Sequence, residues 1–276
     1  MVMNMTTKSM SWEEAVLWLK RQPEQQELVR SCFFDDPLLA TAERYYRSTE
    51  WQSARALLPA QKGRALDVGA GLGISSYALA RDGWNTLALE PDESQIVGAG
   101  AIRSLAKESG LPIIVEQSWG EQLPFGESTF DLVHCRQVLH HARDLRQLCR
   151  EIGRVLKPGG TLLATREHVI SRPADLPAFL AQHPLHRFYG GESAYLLVNY
   201  LEAIKGGGIQ LSKILNPYAS DINLFPETKD SFKQRLAKQL YWPWPRLIPD
   251  GILVLWGALS DAPGRLYTFL GKKSHG

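Results

Sequence analysis

An aspartate stands two residues before a run of alternating glycines in Leu66-Asp67-Val68-Gly69-Ala70-Gly71-Leu72-Gly73. Glycines at that spacing let a chain turn tightly at the end of a buried strand and bring its backbone close to a ligand. The spacing is G-x-G-x-G, without the third glycine position of the dinucleotide fingerprint G-x-G-x-x-G. Asp67 lies in an otherwise apolar run, where a carboxylate is costly unless a cation or donors meet it. It would repel a pyrophosphate and would suit a ligand that carries an ammonium group and no phosphate. A second acid, Glu90, ends the next apolar run, Thr86 to Leu89. A carboxylate there can accept hydrogen bonds from both hydroxyls of a ribose. A tight strand-to-helix turn with no ligand would use the same glycines, so the loop needs its context.

Histidines are the other reactive residues. His140 and His141 are adjacent, and His168, His183 and His186 follow, with Arg187, Tyr189 and Glu192 among them. Adjacent histidines do not share a helical face, and no further ligand is spaced beside them, so the sequence points to no metal. Two readings stand for His140-His141: a structural pair at a helix entry, or a group that contacts a substrate or acts as a base.

The elements that must position these groups follow from periodicity. Ser11 to about Leu58 is helical, with Ser11 and Glu14 in capping-box spacing and Pro23 and Pro37 as breaks. Strands are expected at 65–68, 86–89, 112–115, 131–135 and 161–165, with helices at 75–81, 94–109 and 145–156 between them. Lys157-Pro158-Gly159-Gly160 closes the last of these helices. Strands alternating with helices give βαβ units and a mostly parallel sheet. After Arg166 the rhythm breaks. A helix is expected at 192–205, a strand at 209–215, an irregular section at 216–264 and a last strand at 265–270.

The chain has 276 residues, 44% hydrophobic and 22% charged, with a formal net charge of +2. That is ordinary globular usage and too weakly basic for a nucleic-acid binder. The three cysteines, Cys32, Cys135 and Cys149, are far apart and include no CxxC, which argues against a disulfide scaffold. The opening MVMNMTTKSM has no apolar core of signal-peptide length, and no run reaches a membrane span. The expectation is a cytoplasmic protein. Tyr241-Trp242-Pro243-Trp244-Pro245 and Ile252 to Trp256 are unusually aromatic and apolar, which fits core packing, a dimer contact or a lipid-facing patch.

Residues 63 to 167 resemble the class I S-adenosylmethionine-dependent methyltransferases. The matching motifs are the glycine loop, Leu89-Glu90-Pro91-Asp92, Leu123-Pro124-Phe125, Phe130-Asp131-Leu132-Val133, Val138-Leu139-His140-His141 and Arg154 to Gly160, in that order. The set is similar to the small-molecule branch that includes quinone-biosynthesis enzymes. The resemblance implies an α/β fold: a Rossmann-like, seven-stranded, mostly parallel sheet with an antiparallel last strand and helices on both faces. An N-terminal helical arm or lid, 1–60, would precede a methyltransferase domain, 61–276, with an acceptor-site insert at about 168–192.

It also implies site residues. Asp67, Gly69, Ala70, Gly71 and Gly73 would hold the methionine end of S-adenosyl-L-methionine, with Cys135 and Arg136 ending the fourth strand beside it. Glu90, followed by Pro91, would hold the ribose. Trp119 stands where the family commonly has an aspartate facing the adenine. Either Trp119 stacks on that ring while Ser118 or a backbone group makes the polar contact, or the register shifts by one or two residues. His140, His168 and Tyr189 would line the acceptor site, and Tyr45, Tyr46 and Arg47 would close over its mouth. The implied reaction is methyl transfer to a small-molecule or lipid-linked acceptor, with no nucleic acid as partner. RNA or protein methylation, or cofactor binding without turnover, are the alternatives; a nicotinamide oxidoreductase is disfavoured by Asp67 and the glycine spacing.

Overall fold

The apolar runs assemble into one sheet: β1 (Arg64–Val68), β2 (Asn85–Leu89), β3 (Ile113–Glu116), β4 (Phe130–Arg136), β5 (Leu156–Ile170), β6 (Tyr195–Leu196), β7 (Ile209–Leu215) and β8 (Arg265–Lys273). The computed structural model describes residues 10–275, so the first nine residues of the opening segment, read above for a leader, lie outside the described residues. Strand order is β3-β2-β1-β4-β5-β8-β7, with β6 off that path beside β5. β1 to β5 run parallel, and β8 is antiparallel to both of its neighbours. The sheet is thus Rossmann-like and mostly parallel with an antiparallel last strand. It has eight strands rather than seven, and the addition is the two-residue β6.

Alternation along each strand divides the core between two faces. Leu66, Val68, Val133 and Cys135 pack under the Leu145–Val155 and Leu197–Gly206 helices. Ala65, Ala88 and Leu132 face the Leu38–Arg47, Thr49–Arg55, Ile74–Arg81 and Ala99–Ser109 helices. The arm therefore has two parts. Its later helices, through Tyr45 and Trp51, are core. Its first, Trp12–Lys20, carries the capping box expected at Ser11 and Glu14 and packs against Leu185, Phe188 and Tyr189.

Several boundaries differ from the sequence expectation. β5 runs well past Thr165 because β8 supplies partners there, Glu167 against Tyr267 and Val169 against Arg265. The helix expected at 192–205 begins only at Leu197, since Tyr195 and Leu196 are drawn into β6. The helix expected from Ser94 begins at Ala99. The section 216–264 is not irregular: it holds the Asp221–Leu224, Lys229–Gln239 and Asp250–Leu259 helices, the second capped by Thr228. No helix among the described residues is long and apolar enough to cross a membrane.

Candidate active site

Strand order reverses between β1 and β4, and the crevice outside their carboxyl ends is where an open α/β sheet binds ligands. The glycine loop lies there. Gly69, Gly71 and Gly73 all have φ between +54° and +79°, a left-handed conformation that strains other residues. Their surroundings differ. A Cβ on Gly69 would press on Val138, and one on Gly73 on Ile102, whereas one on Gly71 would meet nothing within 4 Å. Gly71 therefore borders open space at the loop tip.

Glu90 closes the same space from the end of β2. Its carboxylate accepts the Gly71 N–H at 2.7 Å and the Asp92 N–H at 3.0 Å. Burial pushes its carboxyl above the ordinary range, partly offset by those two N–H donors. Beyond Pro91, Ser94 donates to Glu13 of the first helix, so the arm reaches this loop.

Asp67 is met by donors from the protein itself. Ser76 Oγ donates to one carboxylate oxygen at 2.6 Å, and His134 Nδ1 lies 2.8 Å from the other. Asp67 and His134 are register partners on β1 and β4, both closed off from solvent. The sequence reading turned this carboxylate toward a ligand, but the structure uses both oxygens to fasten β1, β4 and the following helix together. His134 was missed because nothing local marks a cross-strand partner.

Cys135 is fully buried, and its carbonyl accepts from Thr165 Oγ1 at 3.4 Å. The Arg136 side chain turns to the arm, bonding Glu50 at 2.6 and 3.1 Å beneath Phe33 and Tyr45. Glu50 is buried, yet its carboxyl is held below the ordinary range because the Arg136 and Arg166 charges outweigh desolvation. Gln137 and Arg166, just past these residues on neighbouring strands, both have left-handed φ, a strain found at functional edges. Trp119 is 56% exposed with the Arg143 guanidinium 4.8 Å over its ring, and Ser118 Oγ donates to the Gln122 carbonyl.

Tyr45, Tyr46 and Arg47 do not close over this mouth. Tyr45 is core, Tyr46 donates to Asp82 beyond the far end of the Ile74–Arg81 helix, and Arg47 pairs with Glu43 on the surface. The first helix reaches over instead: Trp12 meets the Tyr189 ring at 4.7 Å and Trp18 meets Phe188 at 4.3 Å.

The histidines do come together. Buried Glu167 accepts the backbone N–H of Val138 and of His140, each at 3.1 Å, and lies 2.7 Å from His140 Nδ1. The His140 ring lies 4.2 Å from that of His141 and 4.6 Å from that of His168, with His183 beyond at 6.0 Å. Tyr189 donates to Glu192, whose carboxylate faces His140, His141 and His183. Desolvation opposes charge on His140, but the hydrogen bonds and charges of Glu167 and Glu192 outweigh it and push it up to about 9. Desolvation and the neighbouring His140 cation push the half-buried His168 down to about 3. His140, His168 and Tyr189, expected at one site, thus share one cluster, and Glu192 is its centre.

Comparison with known proteins agrees with this geometry. Residues 66–164 match the family model described as "Methyltransferase domain". An uncharacterized methyltransferase, YcgJ, of Bacillus subtilis is 32% identical over 40% of this chain and 43% of its own length. A ubiquinone biosynthesis O-methyltransferase of Rhizobium rhizogenes is 30% identical over 48% of this chain and 52% of its own. The chain thus spans about half the length of the curated relatives it matches. Among solved structures, YcgJ superimposes with TM-score 0.54 at 22% identity, over 80% of this chain and 96% of that one. A putative sarcosine dimethylglycine methyltransferase from Galdieria sulphuraria gives 0.55 at 21% identity, over 86% of each chain. At such identities the superpositions speak for the fold. Residues 66–164 thus match a methyltransferase domain, with the glycine loop at the switch point of the sheet and Glu90 beside it.

Proposed function

We propose that the chain transfers a methyl group from S-adenosylmethionine to a small-molecule or lipid-linked acceptor. The observation that carries this reading is the open space at Gly71 with the Glu90 carboxylate across it. A bound nucleoside would take over that carboxylate through its ribose hydroxyls, releasing the Gly71 N–H to the ligand. Asp67, Gly69, Ala70 and Gly73 shape the loop for the methionine end, the backbone of Cys135 and Arg136 borders it, and Pro91, Ser118 and Trp119 lie toward the adenine. The cofactor supplies an electrophilic methyl. The protein orients the accepting atom in line with it, keeps water out and takes up a proton where the acceptor is a hydroxyl or acid.

His140 stands past the carboxyl end of β4, His168 near the carboxyl end of β5 and Tyr189 beyond it, where such an acceptor would lie. The ubiquinone O-methyltransferase relatives favour a small or lipid-linked acceptor over a macromolecule. So does the surface of the 241–259 region. Tyr241, Trp242, Trp244, Leu247, Leu255 and Leu259 are each at least half exposed, which fits a dimer contact or a lipid-facing patch better than core packing. Such aromatic and aliphatic patches suit apolar partners. A net charge of +2 gives little basis for nucleic acid.

Calorimetry with S-adenosylmethionine and S-adenosylhomocysteine tests the cofactor. Both should bind and NAD should not, and Glu90→Ala should lose about 1–3 kcal/mol of affinity. An unchanged affinity would remove Glu90 from the site. Incubation of the protein with methyl-labelled cofactor and cell extract tests the acceptor. Label in the lipid or small-molecule fraction is expected; label in RNA or protein would overturn the acceptor class.

A further inference from the structure

We propose that His140, His168 and Glu192, with His183 and His141 beside them, form a binding site for one divalent transition-metal ion of the zinc type. The inference rests on the geometry of the cluster and stands whether or not methyl transfer is the reaction.

Glu192 is the first observation. Its side chain is only 7% exposed, and three imidazole Nε2 atoms surround it: His140 at 3.6 Å, His183 at 3.7 Å and His141 at 3.8 Å. These separations exceed ordinary hydrogen bonds of about 2.7–3.2 Å. They match the edges of a coordination polyhedron, since two metal bonds of about 2.0–2.2 Å at a wide angle separate their donors by about 3.4–4.2 Å. The donor atoms of His140, His168 and Glu192 all lie within 4.8 Å of one another, close enough for side-chain adjustment to bring them around one ion.

The outer contacts of the histidines are the second. His140 Nδ1 faces the buried Glu167 carboxylate at 2.7 Å, His141 Nδ1 the Gly191 carbonyl at 2.9 Å and His168 Nδ1 the Gly264 carbonyl at 2.8 Å. An acceptor at Nδ1 fixes a proton there and turns Nε2 toward the cluster, where a bound ion takes the place of the second proton that His140 carries. Metal-ligating histidines are held by such carboxylate or carbonyl partners. Three rings anchored in this way around one buried carboxylate go beyond what packing alone demands. His183 differs, because its Nδ1 is buried with no hydrogen-bond partner among the described residues.

The donor set selects the ion. Imidazoles with one carboxylate suit zinc, cobalt, nickel or iron(II), whereas magnesium and calcium take oxygen donors. Sequence spacing hid the site because its ligands come from four separated segments, after β4, within β5, at the end of the Leu176–Gln182 helix and after the His186–Tyr189 turn.

The test is titration of the chelator-stripped full chain with cobalt(II) chloride near neutral pH, followed by visible absorption. One equivalent should bind, with the ligand-field bands of a nitrogen–oxygen site. Zinc(II) should abolish those bands and magnesium(II) should not. His168→Ala and Glu192→Gln should each weaken binding at least ~10-fold, as removal of even supporting groups does, while His275→Ala on the surface should leave it unchanged. Circular dichroism verifies folding, and Glu192→Gln, which keeps the side-chain shape, carries the test if His168→Ala fails to fold. Absence of cobalt bands in folded protein, magnesium competition, or equal affinity in parent and both cluster variants would each overturn the site.

Discussion

Two buried carboxylate–histidine pairs stand along the carboxyl half of the sheet, and they are built differently. Asp67 and His134 face each other across β1 and β4 in mid-core, with Ser76 taking the second carboxylate oxygen. There both carboxylate oxygens are taken by the protein's own groups, while His134 Nε2 is buried with no hydrogen-bond partner among the described residues. His140 and Glu167 join β5 to the turn after β4, and Glu167 already satisfies two backbone N–H groups. The outer nitrogen of His140 is left facing Glu192 and the other imidazoles. One carboxylate–histidine pair fastens strands; the other holds a ring in place so that its far edge remains available. The lesson is that burial of a titratable pair does not by itself mark a site. What marks it is whether other titratable side chains gather at the ring nitrogen that remains, as Glu192, His141 and His168 do around His140.

The closed region also includes Glu50 with Arg136 and Arg166, and there the largest effect is expected. Glu50→Gln removes the buried anion that faces the largely buried Arg136 and Arg166 guanidinium groups, so it should destabilise by about 3–5 kcal/mol. The direction with pH follows from the depressed carboxyl. A carboxyl lower in the folded than in the unfolded chain contributes stability that is present above the unfolded value, near the ordinary carboxylate range. That contribution fades as pH falls through the lower folded value. Urea melts across the acid range should therefore show the parent losing stability that Glu50→Gln never had. Parallel curves for the two proteins would mean that this carboxylate is not ionised in the fold.

Asp67→Ala should come next. It strands Ser76 and His134 in the core, at about 1–3 kcal/mol for each unsatisfied group. A thermal melt that matched the parent's would contradict the fastening role and restore the reading in which Asp67 faces a ligand.

The same division explains what could be read from the chain alone. The 66–164 segment is legible because its signals are local. Glycines at fixed spacing, an acid at the end of the next strand and breakers after the helix at Leu145–Val155 each lie within a few residues of what they determine. The far half is written in long-range pairings. β5 continues to Ile170 only because β8 returns from residue 265 to pair with it. The Asp250–Leu259 helix was missed because its apolar residues run nearly all round and show no period, and many of them face outward. The Lys229–Gln239 helix did leave a signal: Thr228 and Ser231 make a reciprocal cap ahead of Phe232 and Leu236. His140, His168 and Tyr189 could be grouped from their order after the strands. The central place of Glu192 and the support from Glu167 could not, because each depends on where the chain turns after β5.

The sharpest effect on function is expected in the open cluster, and the smallest on stability at its Tyr189 and His168. Tyr189→Phe removes one hydrogen bond to Glu192, worth about 0.5–1.5 kcal/mol to the fold. His168→Ala leaves only a backbone carbonyl, that of Gly264, without its imidazole donor. His140→Ala leaves Glu167 its two backbone N–H donors but removes the cation between the Glu167 and Glu192 carboxylates, so of the three it should cost the fold most. None of the three residues touches the glycine loop or Glu90 through a hydrogen bond that the structure displays. Cofactor affinity should therefore stay close to that of the parent in all three variants, while turnover with the identified acceptor falls. The loss should be greatest for His140→Ala, whose ring is the most buried and the most firmly held. A general base or an orienting contact contributes about 10²–10⁴-fold where it acts in the reaction. Separate measurement of cofactor affinity, kcat and KM for each variant decides the comparison. If turnover holds while stability falls, this cluster is as closed and structural as Asp67 and His134, and the acceptor lies elsewhere.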